Sequence, residues 1–168
     1  PGAGVLFAKH IAYHIEDAAA LEALTMDRCM VLIRDPARMI ASYAQKIDDV
    51  APIAGSFRVS RRAHELLSAR GRACPVVDAA DILADPASMM RALCGALDIP
   101  FTESMLSWRA GARRSDGPWA PHWYDAVISS TGFRKIEEKP VDLPPALEAL
   151  AALCRADYEH LHARRLIA

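Results

Sequence analysis

No run of apolar residues in this 168-residue chain reaches the roughly 18 that a membrane span needs, and no charged-then-apolar leader opens it. Neither charge sign dominates: 20 Lys and Arg against 21 Asp and Glu leave a net charge of −1. No overall field therefore gathers nucleic acid or an anionic membrane, and any bound anion is held by a local site. No CxxC pair exists. The four cysteines, Cys29, Cys74, Cys94 and Cys154, are scattered, which argues against a disulfide framework or a zinc site and for reduced core thiols in a cytoplasmic protein. The initiator Met is missing too. The chain opens Pro-Gly-Ala-Gly and turns apolar at once, so the expectation is a single domain spanning 1–168, truncated at its N-terminal side. What is present is globular: hydrophobic residues make up 52% and charged residues 24%, with mean hydropathy +0.07. An intrinsically disordered chain does not have that composition.

Residues 5–15 (VLFAKHIAYHI) read as a buried strand, with a helix as the alternative, and 17–24 as a helix. Residues 29–33 (CMVLI) form a compact apolar run, the pattern of a strand covered on both faces. Pro36 then opens a helix with Asp35 placed to cap it. Residues 48–59, with Pro52 and Gly55, read as a loop, and 60–70 as an amphipathic helix with Arg61, Arg62 and Arg70 in water. Residues 75–83 suggest a strand and turn, and Asp85-Pro86 starts a helix through Leu97. Strand alternating with helix predicts an α/β fold with a parallel sheet. Regular patterning fails from 101 to 145, a segment of lid or binding-loop character holding Trp108, Trp119 and Trp123. A final helix over 146–165 carries Leu147, Leu150, Cys154, Tyr158 and Leu161 on one stripe. That stripe packs on the sheet or forms a homodimer surface.

The most informative unit is the apolar strand followed by RDPARMIAS. It delivers Arg34 to a strand's carboxyl end, where open α/β sheets place ligands, and aims a helix N-terminus at the same crevice. Ser42 lies two turns into that helix. Guanidinium, hydroxyl and helix end together make an anion cage. The alternative is that Arg34 pairs with Asp35 or another neighbour and Ser42 faces solvent.

Arg34-Asp35-Pro36 with Ser42 eight residues beyond the Arg resembles the 3′-phosphate-binding motif of the sulfotransferases, which use 3′-phosphoadenosine 5′-phosphosulfate (PAPS). The segment 81–86 (DILADP), with Leu93 and Leu97 behind it, is similar to the family's acidic-Leu-x-x-Asp-Pro piece. Arg109-Ala110-Gly111 and Gly117-Pro118-Trp119 are similar to its RKG and GDW pieces, and 116–124 resembles the bacterial sulfotransferase or branched-chain-aminotransferase-like subgroup. The resemblance covers residues 5–133. It implies a P-loop NTPase-like three-layer fold with a mostly parallel sheet, lacking its first strand and phosphosulfate loop. It implies PAPS as donor, a small-molecule hydroxyl or amine acceptor, no metal, and no nucleic-acid or membrane partner. Arg34 and Ser42 would bind the 3′-phosphate, with Arg109 or Arg114 reaching it from the loop and Trp119 lining the nucleotide site. Lys9, on the first strand predicted in this chain, looks like the lysine of the family's K-T-H strand and so is a catalytic candidate. The family's catalytic histidine falls at Ile11 here, leaving His10 and His14 as candidate bases.

Other readings stand beside it. A P-loop phosphoryl-transfer enzyme or nucleotide hydrolase would use the same Arg for another phosphate. A non-catalytic nucleotide-binding or interaction domain would keep the site without turnover. Trp108, Trp123, Tyr124 and Phe133 either wall a pocket or pin the long loop. Asp78 and Asp81 serve acid–base work or cap and pair. His10 and His14 have the spacing of a metal pair only if helical, with no third ligand nearby.

Overall fold

The computed structural model describes residues 7–15, 28–113, 116–118, 120–134 and 140–168. Its frame is α/β. Strand β1 (Val31–Ile33) pairs in parallel with β2 (Val76–Asp78), Val31 opposite Val76. Beyond β2, Arg165 forms a parallel bridge to Val76, and the Leu166 N–H donates to the Val76 carbonyl at 2.7 Å. β2 therefore lies inside and is buried at every position. On β1, Val31 and Ile33 are buried while Leu32 is 58% exposed. Only one face of β1 is fully covered among the described residues, not both as the apolar run predicted.

Helix α1 (Pro36–Ala44) starts as expected: Pro36 lacks an N–H that would go unbonded there, and Asp35 accepts the Arg38 N–H at 3.1 Å. Helix α2 (Ala51–Ala69) corrects the loop reading of 48–59. Pro52 sits in the first turn, where proline is tolerated. Gly55 costs about 1 kcal/mol against alanine, but one turn of α2 buries both Ile53 and Phe57, each worth roughly 1.5–3 kcal/mol. Burial wins. At the far end Gly71 takes φ 69°, and the Arg72 N–H closes on the Leu67 carbonyl at 3.0 Å, the glycine-dependent stop that ends many helices. Arg62 and Arg70 are exposed as expected, whereas Arg61 is partly covered and bridges Glu65 and Asp157.

β2 turns directly into α3 (Ala79–Ala84), and α4 (Pro86–Ala96) follows with Asp85 capping the Ser88 N–H at 3.1 Å. After a 3-10 turn at Glu103–Met105 come short α5 (Ala120–Trp123) and α6 (Asp125–Ile128), then long α7 (Pro145–His162). Helices cover one face of the sheet at both strands and the other face at β2. Val31, Ile33 and Val76 pack with Leu67 of α2 and Leu161 of α7, while Val77 packs on the other side with Met89 and Leu93 of α4. A third cluster joins Ile40, Phe57 and Cys154 where α1, α2 and α7 meet. The α7 stripe is spent inside the molecule: Cys154 and Leu161 are buried, and Leu147, Leu150 and Tyr158 pack on the helical cluster. It offers no dimer surface.

The first predicted strand does not form over 7–15. That stretch carries a 3-10 turn, Ala12–His14, and packs beside α2. Backbone N–H groups in an extended segment need a partner ladder, and none adjoins it among the described residues. Residues 5 and 6 of that expectation and the whole predicted helix at 17–24 lie outside the described residues.

Candidate functional site

At the carboxyl end of β1 the chain passes through Arg34 and Asp35 into α1. Asp35 accepts from the Arg38 N–H and from Arg155 Nη1 at 2.9 Å. Burial pushes this carboxyl up, but the Arg155 hydrogen bond, the Arg38 and Ala37 N–H groups and the Arg155 charge together hold it below its ordinary value. Two consequences follow. The first-turn N–H groups of α1 are committed to Asp35, so the helix end is not open to an anion as expected. And Asp35 is paired with Arg155, 120 residues away, rather than with its neighbour. Arg34 is half-buried and has no carboxylate partner among the described residues. Ser42, exposed on α1, lies on the face of Arg38 one turn earlier, opposite buried Pro36 and Ile40.

The carboxyl end of β2 holds Asp78, only 2% exposed. It accepts the Ala80 N–H at 2.8 Å and the Tyr158 hydroxyl at 2.8 Å. The Arg155 guanidinium lies over the Tyr158 ring, 5.5 Å from its centroid. Tyr158 is pushed up by burial, then by its bond to Asp78. Asp81 pairs with Arg165 at 2.7 Å. Both aspartates therefore cap or pair, which removes the acid–base reading. Arg155 did not stand out in the sequence, and Tyr158 was marked only as part of the apolar stripe of the last helix. The available signal was their i, i+3 spacing on the inward stripe of α7.

The second locus is the segment after α4. Trp108 stands edge-on to Phe133 at 5.4 Å and donates its indole N–H to Ser130 Oγ at 3.0 Å. Trp123 packs on Tyr43 of α1 at 5.4 Å, and Lys46 pairs with Asp125 at 3.0 Å. The aromatics pin the segment to the body. Gly111 takes φ 119°, a conformation closed to other residues, while its N–H bonds the Ile128 carbonyl at 2.8 Å. Around this turn lies an open cavity of about 230 Å³, lined by Trp108, Arg109, Arg113, Asp116 and Tyr124 among others. Two guanidiniums against one carboxylate give it a positive bias.

Lys9 is exposed, its Nζ 5.6 Å from the Tyr124 ring. The fold thus brings Lys9 and Arg109 to one aromatic neighbour although 100 residues separate them. It does not bring the histidines there: His10 and His14 are exposed, and His14 stands edge-on to Tyr13. Arg114 and Trp119 lie outside the described residues. No cluster of metal-ligating side chains occurs among the described residues, and none of their helices is long and apolar enough to cross a membrane.

The α/β frame thus carries two cationic features: Arg34 at the β1 terminus, with no carboxylate partner among the described residues, and, separately, the positively biased aromatic cavity. Comparison with known proteins narrows the class. The family model described as sulfotransferase domain matches residues 3–164, so both loci fall within it. This chain belongs to the sulfotransferase domain family. It is 32% identical over 138 residues to branched-chain-amino-acid aminotransferase-like protein 1 of Arabidopsis thaliana, covering 82% of this chain and 25% of that protein. Protein 2 of the same name and organism is 33% identical over 144 residues, covering 82% and 24%. The chain spans about a quarter of the length of these relatives. No solved structure matches.

Proposed function

We propose that this domain takes part in sulfuryl transfer from PAPS to a small-molecule hydroxyl or amine acceptor, on a P-loop-like three-layer fold of the aminotransferase-like subgroup. Family membership supports the reaction class, and the relatives' names support the subgroup. Nothing about transamination carries over. The observation on which the donor reading rests is Arg34, half-buried at the β1 terminus while Arg155 occupies the adjacent carboxylate.

In this reading Arg34 and Ser42 bind the 3′-phosphate and so position the donor. Arg109, with Arg114 and Trp119 beyond it, closes the nucleotide site from the loop. Lys9 offsets charge that develops as the bond to sulfur lengthens. His10 and His14 are the candidate bases. A cytoplasmic setting accords with four free cysteines, and any homodimer contact uses a surface other than the α7 stripe.

The test is a pair of titrations, 3′,5′-ADP against 5′-AMP, on the wild type and on Arg34→Ala. The ligands differ only in the 3′-phosphate. One retained charge-assisted hydrogen bond is worth about 1.5–3 kcal/mol, so the first ligand is favoured by roughly tenfold or more and the variant loses the preference. Equal affinities in the wild type remove the donor assignment. One observation favours a second reading, nucleotide binding without turnover: neither histidine lines the cavity. A radiolabelled PAPS transfer assay on the full-length protein separates the two.

A further inference from the structure

The register of the two strands runs on beyond their ends. Val31 stands opposite Val76, and one residue before Val76 the Pro75 carbonyl still accepts the Val31 N–H at 3.0 Å. Counting back two residues on each parallel strand sets Cys29 beside Cys74. A step of two keeps the same face, and both cysteines do pack in the cluster that holds Val31, Val76 and Leu161. Neighbouring strands lie about 4.8 Å apart, inside the Cα separation of roughly 4.4–6.8 Å that disulfides span. Both thiols are free, and each perturbs the acidity of the other. Cys29 is half-buried and Cys74 buried, so one sulfur is reachable and the other waits behind it. Cys94 and Cys154 are buried elsewhere, in contact with Met105 and the Leu150 carbonyl.

We propose that Cys29 and Cys74 form a dithiol site that a low-molecular-weight disulfide oxidises to a cross-strand disulfide. The Cys29 thiolate attacks one sulfur of the reagent, whose S–S bond breaks; the departing thiolate takes up a proton. Cys74 then gives its proton to solvent and attacks Cys29 Sγ, releasing the second small thiol. The protein loses two electrons and two protons, and the reagent becomes two thiols. Cys29 suits the first step: the adjacent Cys74 thiol outweighs burial and brings the Cys29 thiol down to about 7, while Cys74 is raised by its neighbour and by burial. Reversal needs only a small thiolate to attack the reachable Cys29 sulfur, with Cys74 as the leaving thiolate. It ties the strands at the end away from Arg34, leaving the anion locus open.

The whole chain is incubated, folded, in glutathione buffers of rising oxidised share. The expected product has lost two hydrogen masses, carries no adduct, and yields one peptide joining residues 29 and 74 on non-reducing digestion. Cys74→Ser should accumulate one glutathione on Cys29, and Cys74→Ala is the parallel variant should serine disturb the core. Cys29→Ser should stay unmodified. Four alkylatable thiols in the wild type at every buffer ratio would overturn the proposal. So would adducts on Cys94 or Cys154 in place of Cys29.

Discussion

Replacing Arg155 with methionine removes the guanidinium 2.9 Å from Asp35 while keeping a long apolar stem over Tyr158. With side chains 40% and 33% exposed, the pair contributes at most about 1 kcal/mol to stability, so the variant should stay folded. Its effect is expected on ligand choice. Asp35 still caps the Arg38 N–H through one oxygen, but the other is released beside Arg34. An exposed ion pair of about 0.5–1 kcal/mol would then hold Arg34 in a closed arrangement two to five times as populated as the open one. Apparent affinity scales with the open fraction, so the preference for 3′,5′-ADP over 5′-AMP should fall about three- to sixfold. Asp35→Asn in the same background abolishes the competing charge yet remains a good helix cap, and should restore the preference. Calorimetric titration of the three proteins with both ligands measures this. An undiminished preference in Arg155→Met, or no recovery in the double variant, would refute the idea that Arg155 acts by occupying Asp35.

Tyr158→Phe strands one oxygen of a carboxyl that is 2% exposed, and should cost about 1.5–3 kcal/mol in urea denaturation; a loss below about 0.5 kcal/mol would contradict the buried bond. Lys46→Ala at a pair with side chains 35% and 68% exposed should change stability by less than about 0.5 kcal/mol, the control for the previous variant. His64 is lowered from 6.5 by burial, then by the charges of His160 and Arg164, and its Nδ1 has no hydrogen-bond partner. A base depressed in the folded state takes up protons more readily when unfolded, so stability should fall as pH drops from 7 through 6.5. His64→Gln should flatten that slope, as read from melting temperature against pH.

Elements governed by local chemistry were legible in the sequence. Asp35-Pro36, Asp85-Pro86 and Pro144-Pro145 announce three helices because cap and proline act within one turn. The apolar runs at 29–33 and 75–83 each hold a strand, shorter than the run. What failed depends on distant partners. Pro52 and Gly55 look like punctuation until Phe57 finds Ile40 of α1 and Cys154 of α7, and residues 7–15 look like a strand until no ladder meets them among the described residues. The candidate site at the β1 terminus was half legible: Arg34 was marked by its place after a strand. That Asp35 would be claimed by Arg155, rather than by Arg34 itself, is a fact of tertiary packing across 120 residues, and no local rule encodes it.

Helix α7 touches α1, α2 and both strands, and this fixes the order in which the molecule can assemble. Its bonds reach back 120 residues to Asp35, 96 to Arg61 and 80 to Asp78. Contacts that distant must close long loops before they stabilise anything, which slows folding. During synthesis the strands and α2 emerge with Leu67, Val76 and Phe57 uncovered, and stay so until residues 145–166 leave the ribosome. Throughout that interval the nascent chain is a client for chaperones, and yield on expression should track how slowly translation crosses that stretch.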